Sequence, residues 1–369
     1  MMLPSFCRIT YLGKTFKMVV RIETHLITSH LTKITLEFKY NSKEKMSGLL
    51  QLDEESLYDH IFERYTLLTS NNDSLKQDLG IVDRTVSKIT IDIDQFDFNN
   101  KKSNNDFYSI EINQPITSLN SSSVNNNSTT GYVVWSTTPF FTRWLIFHSN
   151  ASIFRNGGSI ELIDQDDELK LPPMFSNSVG LLELGSGIAG ILPVTLGNFV
   201  GSFIATDQIG ILSTLKTNIL ENLSQLNRKI VTSRSLNLNL DVDESTLLKR
   251  SLLSLECLPL DWELFDIKDT TKLDPALLSL FKEKETIYVL AMDVIYNEYL
   301  IESFLSTIQN LKSLAFKFNV NLNCLIGIQL RSEEVTTLFL EKAIIDYEMK
   351  VYYIQDNILE SSRFSIYMI

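Results

Sequence analysis

The stretch "LLELGSGIAG", residues 181–190, decides the fold. Gly185, Gly187 and Gly190 stand there at G-x-G-x-x-G spacing, directly after an apolar run, as in a turn that receives a dinucleotide. S-adenosylmethionine can be held on the same kind of turn. Gly185 closes the strand, where the chain must turn sharply and let its backbone approach a ligand. The helix that follows offers unpaired N–H groups, and Pro193 sits in its early turns, where a missing N–H does least harm. Asp207 ends the next apolar run, 22 residues after Gly185, where a carboxylate can accept both ribose hydroxyls of either cofactor. These residues point to a nucleoside-binding α/β fold and leave the cofactor open.

The pattern around them supports that fold. "VGLLELG" is apolar throughout, as a parallel strand covered on both faces should be. Further strands are read at "SFIATD", "CLPLDW", "IYVLAMDVIY" and "NCLIGIQL", then at "KVYYIQ" and "RFSIYMI". One helix face carries Leu212, Leu215, Ile219, Leu223 and Leu226; another carries Leu300, Phe304, Ile308, Leu311, Ala315 and Phe318; a third helix spans 333–346. Between "CLPLDW" and "IYVLAMDVIY" a polar loop is expected. Repeated βα units imply a Rossmann-like, doubly wound sheet of seven strands. The last two strands have no helical pattern between them and are expected to form an antiparallel hairpin.

Three features favour S-adenosylmethionine over a nicotinamide dinucleotide. Glu183 lies two residues before Gly185, and a carboxylate suits a sulfonium and an amino group but not a pyrophosphate. A terminal antiparallel hairpin is the usual finish of class I methyltransferases. The fourth strand ends in "MDVIYN", which brings Asp293 and Tyr296 to the carboxyl edge of the sheet, where ligands gather in open α/β folds.

The chain divides into three stretches. Residues 1–45 hold eight Lys or Arg against three Glu, a net of +5 that leaves −17 of the total of −12 to the rest. The stretch could be a targeting leader, but its three Glu and strand-like pattern around Val19 to Phe38 favour translation starting at Met46. Residues 46–130 read as a smaller α+β extension. Within it, a helix from Asp53 buries Leu57, Ile61, Tyr65 and Leu68, "SKITIDIDQF" and "YSIEI" form strands, and the Ser/Asn-rich segment 118–128 is a mobile loop. Residues 131–369 form the catalytic domain, opened by an aromatic run, 131–149, that reads as core.

Composition narrows the function. The net charge of −12 argues against direct nucleic-acid binding and suits a basic partner. Cys7, Cys257 and Cys324 are far apart and form no C-x-x-C pair, and the four histidines show no ligand spacing, so neither a disulfide framework nor a metal is expected. No apolar run reaches the roughly 18 to 20 residues that cross a bilayer. A cytoplasmic monomer is expected.

"STTGYVVWSTTPFF", "LLELGSGIAGILP", "ATDQ", "LDW" and "AMDVIYNEYL" together resemble the seven-β-strand protein-lysine methyltransferases known as methyltransferase family 16. Within it, the likeness is greatest to the fungal ribosomal lysine N-methyltransferase 5 family, supported by "IFERYTLL", "DLGIVDR", "NILENLSQL" and "LRSEEVTTLFLEKAII". It runs from about Leu49 to the end, with interruptions near 99–113, 155–178 and 239–256. The resemblance implies S-adenosylmethionine contacts from Trp135, Gly185, Ser186, Gly187, Asp207, Trp262 and Met292, beside the Glu183 inferred above. It implies a substrate lysine on a large-subunit (60S) ribosomal protein, the one that forms the mobile stalk. Asp293 or the Tyr296 hydroxyl would orient the amine, and Phe140 or Trp135 would wall its channel. The same residues would serve a methyltransferase acting on an elongation factor, a chaperone or a small amine. A non-catalytic, ribosome-associated cofactor-binding module is the remaining alternative.

Overall fold

A computed structural model describes residues 48–70, 80–94, 107–115, 130–163, 165, 167–239 and 252–369, together with three short strands nearer the N-terminus. The chain separates into two compact units, Met1–Lys45 and Met46–Ile369. In the first, β1 (Ser5–Tyr11), β2 (Lys14–Arg21) and β3 (Thr35–Glu37) form an antiparallel sheet. The expected loop at 118–128 lies outside the described residues.

The second unit is built on one sheet. Its strands are β4 (Gly48–Leu52), β9 (Val179–Leu184), β10 (Ser202–Asp207), β11 (Ile230–Thr232), β12 (Leu252–Pro259), β13 (Thr286–Met292), β14 (Asn321–Gln329), β15 (Val351–Gln355) and β16 (Phe364–Met368). Two small hairpins stand apart: β5 (Lys88–Ile93) with β6 (Tyr108–Asn113), and β7 (Gly158–Glu161) with β8 (Glu168–Leu171). The sheet order is β11-β12-β10-β9-β13-β14-β16-β15-β4, parallel from β11 to β14 and antiparallel from there on. All seven strands read from the sequence lie side by side in the middle. Two edge strands make nine: β11, three residues long, and β4, which pairs with β15 through a contact some three hundred residues distant in the chain.

Alternation divides the core cleanly. Every residue of β9 is buried, with Leu181 facing one layer and Leu182 and Leu184 the other. Helices Thr137–Phe147, Ile191–Leu196 and Ile209–Glu221 cover the first face; Ser56–Ser70, Pro275–Glu283, Glu298–Phe318 and Glu333–Glu341 cover the second. The helix Pro275–Glu283 replaces the expected polar loop. It starts on Asp274, whose Oδ1 accepts the Ala276 N–H at 2.8 Å, and buries Leu277, Leu280 and Phe281. A four-residue helical turn, Asn357–Glu360, joins β15 to β16, and the two pair antiparallel as expected. No helix among the described residues is long and apolar enough to cross a membrane.

Arg64 fastens this second layer. It is 3% exposed and donates to the carbonyls of Leu359, Glu360, Ser362 and Phe364 at 3.0–3.2 Å. One guanidinium thus satisfies the turn before β16 from the helix Ser56–Ser70. Arg64→Met keeps the apolar stem but strands those carbonyls, and should lower unfolding stability by about 3 to 5 kcal/mol. Urea titration measures this; a loss under about 1 kcal/mol would show that water replaces the guanidinium without cost.

Candidate active site

Strand order reverses beside β9: the chain runs outward through β10 on one side and continues through β13 on the other. That leaves a crevice at the carboxyl ends of the strands, where open α/β sheets take their ligands. The turn after β9 is shaped for close approach. Gly185 has φ +70°, and a Cβ there would meet Val294 Cγ1 at 2.7 Å. Ser186 N–H donates to Thr206 O at 2.9 Å and Ile188 N–H to Gly131 O at 3.0 Å, which ties the turn to β10 and to the aromatic run. Gly190 gives way to Ile219, whose Cγ1 lies 2.7 Å from where its Cβ would be. Asn218, fully buried, donates to Ile188 O at 2.7 Å and accepts the Asn113 N–H at 2.9 Å, joining the turn to the β5–β6 hairpin.

A cavity of about 360 Å³ opens above this turn. Trp135, Gly185, Ser186, Gly187, Asp207, Trp262, Met292, Asp293 and Tyr296 all line it, so residues read from five separate stretches meet at one place. Glu183 stands behind the wall, 3% exposed. Phe140 does not reach the cavity: its ring stacks on Phe364 with centroids 4.1 Å apart. The reason is helical geometry, since Phe140 lies on a helix face that packs towards β16 while Trp135 precedes the helix.

The three carboxylates differ in what surrounds them. Asp207 accepts the Gly187 N–H at Oδ2 (2.8 Å) and the Gln208 N–H at Oδ1 (2.7 Å). Burial nevertheless pushes its pKa up to about 6. Each oxygen keeps a lone pair for a further donor, as a ribose diol requires. Glu183 is pushed up to about 8, mainly by burial; Asp207 adds to the rise and the Ser186 hydroxyl opposes it. Within ordinary hydrogen-bond geometry, Glu183 Oε2 and Ser186 Oγ have no partner among the described residues. A buried acceptor left in that state calls for a ligand donor, and a cationic one meets it best.

Asp293 is the strained member. It holds φ +63°, rare outside glycine and tolerated by Asp, and its N–H is anchored to Gly327 O at 2.7 Å. Its Oδ1 is engaged by the Arg331 guanidinium and by the Gln329 N–H at 3.4 Å. Burial raises its pKa against the pull of Arg331, of Gln329 and of the Thr137 hydroxyl. Oδ2 is buried and forms no hydrogen bond within ordinary geometry among the described residues. Across the cavity, the Tyr296 and Trp135 rings lie nearly parallel, 6.5 Å between centroids. Both rings are tied to Thr130: Tyr296 OH to its Oγ1 at 2.8 Å, and Trp135 Nε1 to its carbonyl at 2.8 Å.

Arg331, Thr130 and Gln114 are site residues that sequence reasoning does not find. Gln114 fixes the aromatic run by accepting the Val134 N–H at 3.0 Å while donating to Asp83 O at 2.7 Å. Among the described residues, no group of three or more His, Cys, Asp or Glu could hold a metal ion.

A seven-strand core with this terminal hairpin, a glycine turn at the switch point and a buried carboxylate beside it fit a Rossmann-like methyltransferase. No family model matches the chain. Proteins of Saccharomyces cerevisiae strains RM11-1a, AWRI796 and S288c, each called ribosomal lysine N-methyltransferase 5, are 45% identical over 359 residues, covering 86% of this chain and 98% of theirs. The chain belongs to the ribosomal lysine N-methyltransferase 5 family.

The raised carboxylates give a testable pH dependence in the ligand-free protein. An acid whose folded pKa exceeds its unfolded value binds its proton more tightly when folded, so stability falls as pH rises between the two values. For Glu183 that window runs from its ordinary 4.5 to about 8. The melting temperature should therefore drop from pH 5 to pH 8, and Glu183→Gln should flatten the upper part, above the Asp207 value of about 6. A parallel drop in the Gln variant would show that Glu183 is ionised without penalty.

Proposed function

We propose that this chain is an S-adenosylmethionine-dependent protein-lysine N-methyltransferase acting on a large-subunit ribosomal protein. The observation that carries the reading is the single cavity in which Asp207 and the glycine turn face Asp293 and Tyr296. The residues fit the cofactor: Glu183 Oε2, a buried acceptor with no partner of ordinary geometry among the described residues, for a cationic end, a diol acceptor at Asp207, and Trp135, Trp262 and Met292 as surfaces for a flat base. When bound, the cofactor supplies an electrophilic methyl group on a sulfonium.

The protein's own work is placement. Asp207 would hold the ribose and Glu183 the cationic end through Oε2. Asp293 Oδ2 would accept an N–H from the incoming lysine and aim its nitrogen. A lysine amine attacks only when neutral, and its free pKa is about 10.4. Burial in this cavity and the neighbouring Arg331 cation both favour the neutral form. The net charge of −12 suits a basic substrate.

Asp207→Asn should weaken cofactor binding about 10- to 100-fold. Asp293→Asn, which keeps a residue that tolerates positive φ, should lower kcat about 100- to 1,000-fold and leave the cofactor Kd within about 3-fold. Calorimetry and radiolabelled transfer to purified ribosomal subunits, with mass mapping of the label, measure both. Label on a non-ribosomal protein instead would move the substrate assignment. Absence of label from every acceptor, with cofactor binding intact, would reduce the protein to a binding module.

A further inference from the structure

We propose that Arg331 is a positioning residue for the acceptor side of the site, clamping Oδ1 of Asp293 so that Oδ2 faces the amine and supporting Trp135 with the same guanidinium. The inference rests on the reading above, in which Asp293 meets the lysine. Three observations carry it.

The guanidinium touches both an acid and an aromatic ring of the cavity lining. It pairs with Asp293 Oδ1, and its Cζ lies 4.8 Å from the centroid of the Trp135 ring. Arg331 therefore links the buried carboxylate to the Trp135 ring.

Arg331 is itself held on both sides. It stands two residues past the end of β14: Leu330 N–H donates to Arg363 O at 2.8 Å, and Ser332 starts the helix Glu333–Glu341 by accepting the Val335 N–H at 3.2 Å. A residue between a paired strand and a capped helix has little backbone freedom. Its planar fork is then presented in one direction.

The chain also closes over it. Gly80 approaches so tightly that a Cβ there would lie 2.5 Å from Arg331 Nη1 and 3.0 Å from Trp135 Cε3. The segment is fixed there by Val82 N–H to Val134 O at 3.0 Å and Ser136 N–H to Gly80 O at 2.6 Å. Gly80 has φ +112°, a conformation that other residues rarely adopt. A surface arginine that only contributed solubility would not be roofed in this way.

Without the clamp, Asp293 keeps its place in the backbone but loses the partner that selects one oxygen for the amine. The defect should fall on turnover, not on cofactor binding. Arg331→Met should lower kcat about 100-fold, with the cofactor Kd changed less than about 3-fold. Arg331→Lys, which restores the charge without the fork, should recover about a tenth or more of the wild-type kcat. In an Asp293→Asn background, Arg331→Met should cost less than about 3-fold further, because the group it positions has gone.

Radiolabelled transfer to ribosomal subunits gives kcat, and calorimetry gives the cofactor Kd, on the full-length chain. A Met variant that keeps kcat within about 2-fold, or a full additional loss in the Asn background, would overturn the proposal. Should the Met variant fail to fold, the Lys variant and the Asn-background pair of Asp293→Asn with and without Arg331→Lys decide it by the same comparison. If the wild-type chain itself transfers no methyl group, the functional reading falls instead, which the wild-type lane alone reports.

Discussion

The chain leaves β9 through a glycine at φ +70°, and the site hangs on that departure. A residue with a side chain would have to displace Val294, which follows Asp293 and lines the same cavity. The turn therefore sets the gap between the end of β9 and the end of β13, and so the room for a ligand between Asp207 and Asp293. The same turn accepts its shape from elsewhere: Gly131 and Thr206 take its N–H groups, and Asn218 holds the carbonyl of Ile188. Sheet, aromatic run and hairpin all converge on six residues of backbone.

Burying carboxylates at that edge is costly, and the protein treats its three differently. Asp207 receives two backbone N–H groups and stays an acceptor. Asp293 receives a guanidinium on one oxygen and, among the described residues, no donor of ordinary geometry on the other. Glu183 receives least, and burial pushes its pKa up to about 8, against about 6 for Asp207. A gradient of this kind is what a site for an extended, partly cationic ligand needs. Groups that were fully satisfied within the protein would have nothing to offer it.

Legibility from sequence followed the range of the interaction. The seven central strands were readable because burial on both faces makes each one apolar over its own length, as in "VGLLEL" and "TIYVLAM". Asp207 and Asp293 were readable because strand ends mark themselves. The helix Pro275–Glu283 is short and sits amid a polar stretch, so its signals, a cap at Asp274, Pro275 at its start and Leu277, Leu280 and Phe281 at helical spacing, are confined to a few residues. β4 was not assigned to the main sheet because its partner, β15, is almost the whole chain away. Arg331 escaped for the same reason. Its identity as a site residue consists of contacts with Asp293 and Trp135, 38 and 196 positions distant, and nothing in "QLRSEE" announces them.

The two halves of the sheet divide the labour accordingly. From β11 to β13 the strands are parallel, and the segments that follow them supply the glycine turn, Asp207, Trp262 and Met292 to the cavity. From β14 onward the pairing is antiparallel, and Arg331 emerges where that change occurs, between β13 and β16. Asp293 belongs to the first half by its strand and to the second by its ion pair. The boundary between the halves thus runs through one carboxylate, with Oδ1 held by an arginine that follows β14. The 2.7 Å hydrogen bond from the Asp293 N–H to Gly327 O fixes that carboxylate's backbone to the neighbouring strand, so the two halves hold it jointly.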